Sequence, residues 1–154
     1  MIFLDSDGVI VRTMPVRHYE CKKAFHPKSI PLIPGIKGFL KELRKLDEVK
    51  FCSKTMFTAE HPHTEEHIKD KMELARSLGF KDSDIIIGDA SFNKYDLIKN
   101  PTDILLDDYG KNCEGWKASG GIAIQMFEEK KKAFPTARNY ADALSLLQFF
   151  KKWL

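Results

Sequence analysis

Four carboxylates, one hydroxyl and one lysine stand just past short apolar runs of this chain. Asp5 and Asp7 follow MIFL, and Ser53 follows VKFC. Lys94 lies a few residues beyond DIIIG, and Asp107 and Asp108 follow DILL. Like charges at close range raise each other's pKa, so four acids brought together require a cation to offset them. A hard divalent ion with oxygen ligands meets that need. Mg²⁺ in particular is commonly held by one or two carboxylates while a substrate phosphate completes its shell.

Whether those residues converge depends on the elements that carry them. Ile2–Leu4, Val49–Cys52, Ile85–Ile87, Ile104–Leu106 and Ile122–Gln125 are short, apolar and continuous, the pattern of strands buried on both faces. Helical spacing separates them. In GIKGFLKELRKL the apolar face is Ile36, Phe39, Leu40 and Leu43; in HTEEHIKDKMELARSLGF it is Ile68, Met72 and Ala75, extended by Leu78. Tyr140, Ala143, Leu144, Leu147 and Phe150 mark one side of a closing helix. Alternating strands and helices predict right-handed βαβ units, and so a three-layer α/β, Rossmann-like domain with a mostly parallel central sheet. Ligands of such sheets bind beyond the carboxyl ends of the strands, where the six residues fall.

This order of motifs resembles the haloacid dehalogenase (HAD) superfamily of phosphohydrolases over essentially the whole chain: Asp5-Ser6-Asp7-Gly8, then Ser53, Lys94 and Asp107-Asp108. Within it, KYDLIKNPTDILLDDYGKNCEGWKASGGIAIQM, with Asn112 and Trp116 after the aspartate pair, is similar to the 5'(3')-deoxyribonucleotidase group. The resemblance implies a HAD-like fold and a Mg²⁺-dependent phosphomonoesterase with catalytic Asp5 and Asp7. Asp5 would attack phosphorus to give an aspartyl-phosphate; Asp7 would protonate the leaving oxygen and then activate water. Ser53 and Lys94 would bind the phosphoryl group. The metal would be held by Asp5, by Asp7 through its backbone carbonyl, and by one of Asp107 and Asp108, the other orienting metal-bound water or Lys94. The implied partner is a small phosphorylated substrate, a nucleotide or deoxynucleotide monophosphate first. Two alternatives are a larger phosphorylated end or sugar phosphate, and a non-catalytic phosphate-binding regulatory domain.

The chain departs from the nucleotidase pattern at the cap. That group inserts a helical cap of several tens of residues after the first motif, whereas Val9 to Pro34 leaves room for one or two short helices around Met14–Phe25. A single domain over residues 1–154 with a reduced cap at about 12–33 is therefore expected. Arg12, Arg17, His18 and Tyr19 in that segment, with Asn112, are the candidate substrate contacts, because cationic and aromatic groups suit nucleotides.

Other features read as structural. His63 and His67 have metal-ligand spacing on a helix but no third soft ligand nearby. The three cysteines, Cys21, Cys52 and Cys113, are odd in number and without a C-x-x-C pattern, which fits apolar fillers in a reducing compartment. The charged run Glu128–Lys132 reads as a solvated edge. The 154 residues are 43% hydrophobic and 31% charged, with a net charge of +3. That composition suits a globular domain and favours anionic ligands, but is too weakly basic to indicate sequence-specific nucleic-acid binding. No stretch approaches the roughly 20 apolar residues of a membrane span. The early D-S-D-G motif leaves no room for a cleaved leader, so a cytoplasmic location is expected.

Overall fold

The computed structural model describes residues 1–13 and 30–154. Met14–Phe25, and with it Arg17, His18, Tyr19 and Cys21, lies outside the described residues. Six parallel strands form one sheet in the order β3-β2-β1-β4-β5-β6. They are β1 (Ile2–Leu4), β2 (Val49–Lys54), β3 (Ile85–Gly88), β4 (Ile104–Asp107), β5 (Ile122–Met126) and β6 (Thr136–Ala137). The four helices among the described residues are α1 (Ile36–Leu46), α2 (Thr64–Ser77), α3 (Gly110–Ala118) and α4 (Tyr140–Trp153). This is the expected α/β, Rossmann-like architecture.

Side chains alternate across the pleat and so divide the core into two layers. Ile2, Leu4, Phe51, Ile104, Leu106 and Ile124 face the layer that contains Ile36, Phe39, Leu40 and Leu43 of α1, Leu74 and Ala75 of α2, and Ala143 and Leu147 of α4. Phe3, Cys52, Leu105 and Ala123 face the other, filled by Cys113 and Trp116 of α3. Both described cysteines are free and buried, as expected of fillers. Trp116 is structural too: fully buried, it packs on Phe3 and donates from Nε1 to the Asp103 carbonyl at 3.1 Å.

The apolar faces read for α1 and α4 are those the structure packs against the core. The face read for α2 is corrected. Its buried residues are Thr64, His67, Asp70, Lys71, Leu74 and Ala75, while Ile68 and Met72 are half-buried. The N-terminal half of this helix buries polar groups because it leans over the strand ends, where charge rather than hydrocarbon is its neighbour. Helix α3 and strand β6 were not anticipated.

After β1 the chain turns at once. The Ser6 carbonyl accepts from the backbone N–H groups of Val9, Ile10 and Val11. Val11 then pairs with Leu32, and the Ile33 N–H reaches the Ile10 carbonyl at 2.8 Å. The two ends of segment 12–33 are thereby stitched together beside the site. Tyr140 donates its hydroxyl to the Val9 carbonyl, tying α4 to this turn.

Leu43 is fully buried between α1 and the sheet. Leu43→Ala is expected to lower the unfolding free energy by about 2–5 kcal/mol, through lost transfer energy and the cavity left behind. Urea denaturation of the two proteins measures the difference.

Candidate active site

The C-terminal ends of β1, β2 and β4 form one rim. A cleft of about 240 Å³ there is lined by Asp5, Asp7, Thr13, Lys54, Lys94, Asp107, Asp108, Tyr109 and Asn112. Asp5 extends β1 by one hydrogen bond, its N–H donating to the Leu106 carbonyl at 2.9 Å. Its carboxylate therefore sits directly opposite the end of β4.

Lys94 organises this rim. It lies on a one-turn 3₁₀ segment, Lys94–Leu97, and is 3% exposed. Its Nζ donates to Asp5 Oδ1 at 2.6 Å and to Asp107 Oδ2 at 2.8 Å. Burial works against the ammonium charge, but Asp5 and Asp107 outweigh it and hold the lysine pKa above its ordinary value. Asp107 is fully engaged. Its Oδ2 also accepts from Asn112 Nδ2 at 2.9 Å, and its Oδ1 from the Tyr109 N–H at 2.9 Å.

Asp108 is different. It takes a long hydrogen bond of 3.5 Å from Thr13 Oγ1 and has no ion-pair partner among the described residues. Burial and the neighbouring Asp107 push its carboxyl up to about 6. Burial, with Asp107 close by, also raises Asp5 well above the usual carboxylate range, against the pull of Lys94. Side-chain oxygens of Asp5, Asp107 and Asp108 lie within 4.8 Å of one another, a spacing that suits three ligands of one cation. An all-oxygen, all-carboxylate donor set fits Mg²⁺ and not the softer transition metals. Asp7 is not part of this carboxylate trio. The approach of the turn to Asp108 is possible only with Gly8, whose φ is +82° and where a Cβ would stand 2.0 Å from Asp108 Oδ2.

The Asp7 carboxylate instead meets Lys71, a residue that sequence reasoning missed. From α2 its Nζ donates to both Asp7 oxygens, at 3.1 and 3.0 Å, and to Ser53 Oγ at 2.9 Å. Lys54, on the cleft wall, was missed as well. Even with both added to Lys94, the four carboxylates outnumber the three ammonium groups. Ser53 is buried at the end of β2, Asn112 joins the site through Asp107, and Arg12 is exposed. His67 is buried and lies outside the trio.

Protons and a cation compete for Asp5 and Asp108. Both carboxyls titrate above their unfolded values, so the metal-free fold gains stability from them as the pH falls toward 6 and below. A bound cation needs the ionised forms. If the trio takes Mg²⁺, the rise in melting temperature it produces is therefore expected to shrink as the pH falls through about 6, where Asp108 takes up its proton. Thermal denaturation with and without Mg²⁺ on either side of that pH checks this.

No protein-family model and no curated protein sequence matches the chain. Solved structures do. A D,D-heptose 1,7-bisphosphate phosphatase from B. bronchiseptica, complexed with magnesium and phosphate, superposes with a TM-score of 0.65 at 15% identity, over 96% of this chain and 97% of that one. The corresponding phosphatase from Burkholderia thailandensis gives 0.61 at 12% identity, over 96% and 97%. A protein assigned as a haloacid dehalogenase-like hydrolase from Burkholderia xenovorans gives 0.62 at 8% identity, over 97% and 96%. At these identities the likeness establishes a shared fold and nothing finer.

Proposed function

We propose that this chain is a Mg²⁺-dependent phosphomonoesterase that works through an aspartyl-phosphate on Asp5. The observation that carries the proposal is the arrangement at the strand ends: three convergent carboxylates, two of them held by one buried lysine, opening into a cleft. Four acids at one rim would serve no purpose in a domain that merely packs.

Asp5, Asp108 and the Asp7 backbone carbonyl would hold the ion, and Asp107, saturated by Lys94, Asn112 and the Tyr109 amide, would orient Lys94. When bound, Mg²⁺ supplies positive charge against the phosphoryl dianion and lowers its repulsion of an anionic nucleophile. Lys94 adds a fixed charge beside the attacking carboxylate, and Ser53 donates to a phosphoryl oxygen. An Asp5 oxygen forms a bond to phosphorus as the bond to the leaving oxygen breaks. That oxygen keeps the electron pair and takes the proton of the Asp7 carboxyl. Asp7, now ionised, draws a proton from water as the water oxygen attacks phosphorus, restoring the Asp5 carboxylate and releasing inorganic phosphate.

Two substrate classes remain in view. The likeness of the segment around Asn112 and Trp116 to deoxyribonucleotidases favours a nucleotide. The heptose bisphosphate phosphatases among the structural neighbours favour a sugar phosphate. Residues 14–29, which contain Arg17, His18 and Tyr19, are proposed to read the part of the substrate beyond the phosphate.

Phosphate release should be measured across nucleoside 5'- and 3'-monophosphates, sugar phosphates and phosphorylated oligonucleotides. Wild type is expected to release phosphate with Mg²⁺ and not with excess EDTA. Asp5→Asn should lower the rate by more than about 10³-fold, the scale on which enzymes lose activity without their nucleophile. Release that survives in Asp5→Asn contradicts the nucleophile assignment, and no release from any substrate by folded wild type contradicts the proposal.

A further inference from the structure

Lys71 is a second buried lysine at the site, separate from Lys94 and carried on a different element. It is 3% exposed, sits in the middle of α2 and projects from the polar half of that helix toward the strand ends. Its ammonium group spends three hydrogen bonds on two side chains: both oxygens of Asp7, at 3.1 and 3.0 Å, and Ser53 Oγ, at 2.9 Å. Lys71 does not line the cleft itself, whereas Asp7 does. It lies behind Asp7, with Ser53 buried beside it.

Each contact has a directional consequence. A carboxylate on a two-torsion side chain at a turn, one-third exposed, rotates freely unless both oxygens are held. Lys71 grips both and so fixes the plane of the carboxyl group. At Ser53 the ammonium occupies an acceptor lone pair of the hydroxyl. The only other partner of that hydroxyl among the described residues is the Lys54 carbonyl at a weak 3.5 Å, so its proton remains available to an incoming phosphoryl oxygen.

We infer that Lys71 is a positioning residue which aims the Asp7 proton donor at the leaving oxygen and the Ser53 hydroxyl at the phosphoryl group, so that one side chain on α2 sets both in register. The inference rests on the phosphomonoesterase reading above. Lys71 touches neither phosphorus nor the leaving group, and its effect is carried by Asp7 and Ser53. The bonds made and broken are those already given: Asp7 gives up one proton as the bond to the leaving oxygen breaks, and regains one from water in the second step.

The test uses leaving groups that differ in their need for that proton. 4-Nitrophenoxide departs without protonation; the alkoxide of ethyl phosphate does not. Steady-state rates on both esters are measured for wild type, Lys71→Met, Lys71→Arg, Asp7→Asn and the Asp7→Asn/Lys71→Met double variant. The ratio of the two rates within one preparation is independent of the folded fraction, so a poorly folded variant still reports. Lys71→Met is expected to lose about 10²-fold more on ethyl phosphate than on 4-nitrophenyl phosphate, the scale of general-acid assistance. Lys71→Arg should recover part of that difference, and adding Lys71→Met to Asp7→Asn should leave the ratio unchanged. Equal losses on both esters in Lys71→Met, or a ratio that shifts as much in the Asp7→Asn background, overturn the inference. If wild type hydrolyses neither ester nor any other phosphomonoester, the failure belongs to the proposed function instead.

Discussion

The structure of the site depends on one buried ammonium group. Lys94 lies between Asp5 and Asp107 with no solvent to share its charge, and each partner comes from a different strand of the sheet. Burying a lysine costs several kcal/mol unless close acceptors replace the lost water, and burying two carboxylates without a cation costs at least as much. The three groups are tolerable only together. That constraint holds β1 and β4 in register at their ends and places the 3₁₀ segment of Lys94 against both. It also leaves Asp108, the one of the four rim acids with no ion-pair partner among the described residues, facing the cleft.

The arrangement as a whole is a partial neutralisation. Lys94 compensates Asp5 and Asp107, and Lys71 compensates Asp7. One ammonium is thus shared by two carboxylates, Asp108 has no ion-pair partner among the described residues, and burial with like charge raises the carboxyls of Asp5 and Asp108. That excess of carboxylate over ammonium is what the proposed site for a divalent cation and a phosphate dianion requires, since the cation would supply the missing charge and the phosphate complete its shell. Gly8 makes the geometry possible, because a side chain at that position would occupy the space of the Asp108 carboxylate.

Much of this was legible in the sequence, for identifiable reasons. Strands buried on both faces write themselves as uninterrupted apolar runs, so five of the six were found, and Asp5 and Asp107, each next after such a run, line the cleft. The amphipathic helices α1 and α4 were equally plain. Helix α3 was not, since GKNCEGWKA carries two glycines and only Cys113 and Trp116 are buried on it. Strand β6 has two residues and no pattern to detect. The face of α2 was misread because hydrophobic periodicity weights Ile68 and Met72. The buried row of Thr64, His67, Asp70 and Lys71 is polar, and its helical spacing was the only signal that Lys71 points inward. A lysine sequestered by a carboxylate far away along the chain leaves no local trace; Lys71 and Asp7 are separated by 64 residues.

The central claim is that Asp5, held by Lys94, becomes covalently phosphorylated. Rapid acid quenching of wild-type protein during turnover with Mg²⁺ and 4-nitrophenyl phosphate, followed by proteolysis and mass spectrometry of the peptides, tests it most directly. The account predicts an acid-stable, alkali-labile phosphoryl group on the peptide containing Asp5, located on that residue. A phosphoryl group on another residue, or turnover with none trapped under conditions that capture other aspartyl-phosphates, would contradict it.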